Sequence, residues 1–171
     1  MLADRAMLPG RGVRTLDLTS GVGTGPTELA AFDAALLDAG IANFNLIRLS
    51  SVIPPGSVIR RPPGGRASPA GEWGNRLYVV LSDSTASAPG QEAWAGIGWV
   101  QDPESLRGLF VEHHGQSEAA VRRDIELSLE ALCESRGINF PPPAMAVAGT
   151  ECRDRPAAAL MAAVFASEPW R

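Results

Sequence analysis

The chain has 171 residues, 45% of them hydrophobic and 20% charged, and a formal net charge of −4, which are the values of an ordinary globular domain with one core. Charges of both signs are scattered without a basic stripe, and no apolar run reaches the length of a bilayer span, so neither nucleic acid nor membrane is an expected partner. The opening MLADRAMLPGRG has an early acid and no apolar core of signal-peptide length, which points to a cytoplasmic protein.

In chain order, Gly21-Val22-Gly23-Thr24-Gly25-Pro26 superficially suggests a phosphate loop. Its spacing fits neither glycine pattern used for phosphate, lysine is absent, and Pro26 removes an amide donor, so the run reads as a flexible lead-in to a helix. That helix is expected over about 26–39, with Pro26 in its first position, Glu28 in its first turn and Gly40 as its stop. Leu29, Phe32 and Leu36 form its expected apolar stripe, and Asp33, on the edge of that stripe, calls for a partner.

Asn45-Leu46-Ile47-Arg48-Leu49-Ser50-Ser51-Val52-Ile53-Pro54-Pro55-Gly56 is strand-like, ends in a serine pair and stops at a proline pair. Alternation puts Asn45, Ile47, Leu49 and Ser51 on one face, and the prolines cannot continue a hydrogen-bonded ladder. The segment from Pro54 to Asn75, rich in Pro, Gly and Arg, reads as a surface loop near that junction. Strands are expected at Arg76–Ser82, Trp94–Val100, Leu106–His113, Ala144–Gly149 and Ala157–Phe165. Between the third and fourth of these lies the clearest helix, capped by Ser117, striped by Val121, Ile125, Leu129 and Leu132, and closed by Gly137. Arg122, four residues from both Glu118 and Glu126, describes its solvated face. Several strands, two long helices and no regular alternation indicate a single-domain layered α+β sandwich. Cys133 and Cys152 belong to no ligand spacing and are expected as reduced, partly buried thiols.

The serine pair carries the chemistry. A serine held at a strained strand-to-turn junction is placed to attack the carbonyl before it, here Ser51 on Ser50, in an N-to-O acyl shift. Elimination of the ester then leaves a pyruvoyl group in place of Ser51 and cuts the chain into 1–50 and 51–171. NLIRLSSVIPPG, with FDAALLDAGI before it and GLFVEHHG after it, resembles the pyruvoyl-dependent arginine decarboxylases, roughly from Leu16 to Phe165. The resemblance implies a four-layer αββα sandwich and homotrimers, or dimers of trimers, whose sites lie between subunits. It also implies decarboxylation of arginine to agmatine and carbon dioxide through a Schiff base to the pyruvoyl group derived from Ser51.

Loss of carbon dioxide leaves a carbanion at Cα that needs an electron sink, and a pyruvoyl carbonyl supplies one. All fifteen basic residues are arginine, so pyridoxal phosphate, which requires a lysine for its internal aldimine, is excluded as an expectation. Asn45 is assigned by the resemblance to the oxyanion that develops on the Ser50 carbonyl; otherwise it satisfies backbone groups at a strand start. Glu112 follows an apolar run, where desolvation would keep it protonated to return a proton to Cα. The resemblance gives it that role; otherwise it is a strand-end carboxylate in solvent. Asp33 is the expected partner of a substrate guanidinium, through two parallel charge-assisted hydrogen bonds, or else an ion-pair partner for one of the arginines. Ser50, at the cut end, is expected to help bind substrate. His113 and His114 depart from the pattern of close relatives and, facing opposite sides of a strand, cannot easily share a metal, so no metal is expected. Two other readings stand beside this one: the same chemistry on another amino acid, and an unprocessed trimeric protein that binds a ligand or partner without catalysis.

Overall fold

The structure is a computed structural model that describes residues 13–170, so the opening MLADRAMLPGRG lies outside the described residues. Its elements are β1 (Arg14–Thr24), α1 (Glu28–Ala39), β2 (Asn45–Arg48), β3 (Val52–Ile53), β4 (Ser57–Arg60), β5 (Arg76–Ala86), β6 (Glu92–Gln101), β7 (Gly108–Gly115), α2 (Glu118–Arg136), β8 (Ala144–Glu151) and β9 (Ala157–Glu168). One sheet has the order β2-β5-β9-β1-β4 and the other β3-β7-β6-β8. In the first, β2 runs parallel to β5 and β4 parallel to β1, while β9 pairs antiparallel with both β1 and β5. The second is wholly antiparallel.

Three apolar layers separate four structural ones. Ala31, Ala35, Leu36 and Ala39 of α1 meet Leu77, Val79, Leu81 and Leu160 of the first sheet. Leu16, Leu18, Val80, Ile97, Phe110 and Met161 fill the space between the sheets. Val121, Ile125 and Leu129 of α2 close over Val100, Leu109 and Val111. The result is an α+β sandwich of αββα layers, as expected. Ile125 and Leu129 are almost fully buried, a burial that contributes roughly 1.5–3 kcal/mol for each such side chain. No helix among the described residues is long and apolar enough to cross a membrane.

The second helix follows its sequence closely. Ser117 accepts from the Ala120 amide, and Gly137, at φ 59°, supplies the left-handed cap. The first helix does not. Its cap is Thr27, whose hydroxyl accepts from the Ala30 amide at 3.1 Å, so Pro26 precedes the helix instead of opening it. Leu29 is 77% exposed, and the buried face is Ala31, Ala35, Leu36 and Ala39. The reason lies in β1, whose end occupies the glycine run expected to be a flexible lead-in. A Cβ on Gly21 would stand 2.1 Å from the Ala35 carbonyl oxygen, and one on Gly23 would stand 2.5 Å from the Ala35 amide nitrogen. The glycines let the helix backbone lie directly on the strand, and the helix residues that meet Gly21 and Gly23 are the alanines Ala31, Ala34, Ala35 and Ala39.

Other departures are smaller. The expected loop after Pro54 contains β4, an edge strand flanked by prolines. β7 begins two residues later than expected because Leu106, at φ 57°, belongs to the turn that joins it to β6. Both cysteines are free, and the buried Cys152 thiol donates to the Arg155 carbonyl at 3.3 Å.

Candidate active site

Strand β2 stops at Arg48, and the Leu49 amide still donates to the Val79 carbonyl at 2.9 Å. Arg48 ties this end down, donating to the Leu81 carbonyl and, at 2.6 Å, to the Asp83 carboxylate. The chain then leaves the first sheet and enters the second, where Val52 and Ile53 pair with Leu109 and Gly108. Ser50 and Ser51 make the crossing. Ser51 has φ 67° and is one of two non-glycine residues at positive φ among those described. Such a conformation costs of order 1–3 kcal/mol and persists only where the surroundings hold it. Here the Phe110 amide donates to the Ser51 carbonyl at 2.8 Å, and the Ser51 hydroxyl reaches the Glu112 carboxylate, with Oε2 at 2.7 Å and Oε1 at 2.9 Å.

Glu112 comes from β7, opposite Ile97 of β6. Because β3 pairs only with Gly108 and Leu109, the β7 edge beyond them has no further strand partner among the described residues, and Ser51 is what meets it there. Glu112 is exposed, which corrects the expectation of a desolvated carboxyl within the single chain. The pair opens on a cavity of about 470 Å³ whose polar lining is Ser50, Ser51, Glu112, His113, Ser128 and Arg136. His113 turns toward α2, where its Nε2 lies 2.7 Å from the Ser128 hydroxyl. Its carbonyl accepts from the Ser82 hydroxyl at 2.6 Å, tying β7 to β5 across the sandwich.

Two expected members lie elsewhere. Asn45 does not share a strand face with Ser51, because β2 has ended and the intervening residues change sheets. Its side-chain amide donates to the Gly74 carbonyl at 2.7 Å, a backbone bond at a strand start. Asp33 is exposed on α1, which covers the first sheet, and does not line the cavity beneath α2. None of the ion pairs among the described residues includes it. Conversely, Ser128 and Arg136 had not been singled out. Their signal was helical spacing: Ser128, Leu132 and Arg136 recur every four residues and so share one face of α2.

An α+β sandwich with a strained serine at its inter-sheet crossing, bonded to a strand carboxylate, defines the class of site. The family model described as pyruvoyl-dependent arginine decarboxylase matches residues 15–168. A pyruvoyl-dependent arginine decarboxylase of Methanopyrus kandleri is 34% identical over 152 residues, 86% of this chain and 92% of the relative. One of Thermoplasma volcanium is 39% identical over 70% of this chain and 66% of its own length. One of Halobacterium salinarum is 46% identical over 54% of this chain, and the match spans 55% of that relative. The chain belongs to the pyruvoyl-dependent arginine decarboxylase family.

Proposed function

We propose that the chain is a self-processing decarboxylase that converts arginine to agmatine and carbon dioxide, with a pyruvoyl group made from its own Ser51. The observation that carries this reading is Ser51 itself, strained at φ 67° on the crossing between sheets, beside a cavity, with its hydroxyl on Glu112. In the processing reaction the Ser51 oxygen bonds to the Ser50 carbonyl carbon while the Ser50–Ser51 amide C–N bond breaks. Elimination frees the Ser50 carboxylate, and water then replaces the nitrogen at residue 51, which leaves as ammonia. The positive φ held by the Phe110 amide favours this first step, since breaking the chain there releases the strain.

The group so formed supplies a carbonyl that condenses with the substrate amine and accepts the electrons released with carbon dioxide. The chain's residues do the rest. Glu112, within hydrogen-bond reach of the residue 51 position, returns the proton to Cα. Asp33, exposed on α1, and Asn45, exposed at the start of β2, act from a neighbouring copy in a homotrimer, Asp33 taking the guanidinium. A second copy accounts for an exposed Glu112 as well, because a protomer packed against it would supply the missing burial. Two free cysteines suit a reducing, cytoplasmic setting.

A denaturing intact mass of the purified protein tests this reading. The expected result is two chains, 1–50 and 51–171, the second blocked by a pyruvoyl group, and a single uncut chain for Ser51→Ala. An uncut wild-type protein, or full arginine turnover by Ser51→Ala, would overturn it. A substrate panel then separates arginine from other amino acids.

A further inference from the structure

We propose that Arg136 receives the α-carboxylate of the amino-acid substrate in the Ser51 cavity and so distinguishes substrate from decarboxylated product. This rests on the decarboxylase reading and names a substrate-binding residue for it.

Arg136 ends α2, eight residues after Ser128, and lines the cavity on the wall that carries neither Ser51 nor Glu112. Among the described residues it is the only arginine in the lining. Its Nη1 donates to the Leu132 carbonyl at 3.1 Å, which ties the guanidinium to the last turn of the helix. Every ion pair among the described residues uses another arginine. A guanidinium has five N–H donors in a planar fork, and the helix occupies one edge of this one, together with a long contact to the Ser135 hydroxyl at 3.5 Å. The remaining donors match a carboxylate.

The substrate's own chemistry supplies that carboxylate. In an α-amino acid the amine and the carboxylate are attached to the same carbon. A molecule whose amine is at residue 51 therefore holds its carboxylate within the same cavity of about 470 Å³. Among the described residues, the one anionic side chain in the cavity lining is Glu112, which is engaged by Ser51. Arg136 is the cation that offsets the incoming charge.

The contribution falls on binding and not on the barrier. As carbon dioxide leaves, the carboxylate loses its charge, so the ion pair is stronger before the reaction than at its transition state. After the reaction agmatine carries two positive charges and no carboxylate, and Arg136 then repels it. One residue thus favours entry of the acid and departure of the amine.

The test compares L-arginine and agmatine by calorimetric titration into the Ser51→Ala protein, with and without Arg136→Gln, alongside steady-state kinetics of the processed Arg136→Gln and Arg136→Lys proteins. The expected result is about ten-fold weaker arginine binding with Arg136→Gln, equivalent to ~1.4 kcal/mol, and agmatine binding that is unchanged or tighter. In the processed protein KM rises while kcat is unchanged or higher, and Arg136→Lys recovers part of the lost affinity. Equal weakening of both ligands, or unchanged arginine binding, would overturn the assignment. Absence of turnover in an uncut wild-type protein would sink the decarboxylase reading alone, since the calorimetric comparison still decides what Arg136 binds.

Discussion

Glu112→Gln separates the two reactions assigned to one cavity. Glutamine has the shape of glutamate and keeps one acceptor oxygen, while the Ser51 hydroxyl has a single proton to donate and now finds both Glu112 oxygens within 2.9 Å. The variant therefore keeps a hydrogen bond to Ser51 but loses its charge assistance, a change of about 1 kcal/mol on the difference between charged and neutral hydrogen bonds. That is small beside the strain and the Phe110 bond that hold the crossing, so self-cleavage continues. Proton return is different. An amide is no acid at neutral pH, and loss of a positioned general acid costs about 10²–10⁴-fold, or roughly 3–5 kcal/mol of barrier. The assay follows cleavage by intact mass over time, then agmatine formation from arginine by the fully cleaved material. Turnover within a few-fold of wild type would refute the proton-donor role. Failure to cleave would show that the carboxylate is needed for the serine's attack and that its bond to Ser51 matters more than its shape.

Gly21→Ala tests the contact between α1 and β1. The added Cβ meets Ala35 and Ala39 backbone atoms at 2.1 and 2.8 Å, which no rotamer change relieves, so a loss of at least about 1–3 kcal/mol is expected. Urea denaturation reads it, and unchanged stability would mean that the helix does not sit on the glycines. Asp33→Asn should raise KM for arginine by about 10–100-fold, the scale of one charge-assisted interaction of ~1.5–3 kcal/mol. It should do far less to a substrate without a cationic tail. A comparable loss on both substrates would remove Asp33 from guanidinium recognition.

Local sequence determined the elements whose burial follows their own periodicity. The second helix was readable to its caps because Ser117, Gly137 and the Val121-Ile125-Leu129 stripe all act within one helix. The strands β5, β6, β8 and β9 were readable because apolar runs bounded by turn residues need no distant partner to declare them. The reactive junction was equally local: a serine pair before a proline pair names its own chemistry, and a resemblance placed Glu112 downstream.

Tertiary structure alone decided what depends on which backbones approach one another. Gly21 and Gly23 carry no side chain to reveal a strand, and their meaning appears only when α1 rests on them, the same contact that buries Ala31 and Ala35 and turns Leu29 outward. Asn45 and Ser51 obey strand alternation on paper, yet the positive φ at Ser51 and the change of sheet separate them. Ser128 and Arg136 reach the site because α2 folds back over β7 onto the cavity that the Ser50–Ser51 crossing, distant from both in sequence, also lines. Periodicity reports that a face is buried; only the packing of layers, through the exclusion of overlapping atoms, decides what lies against it.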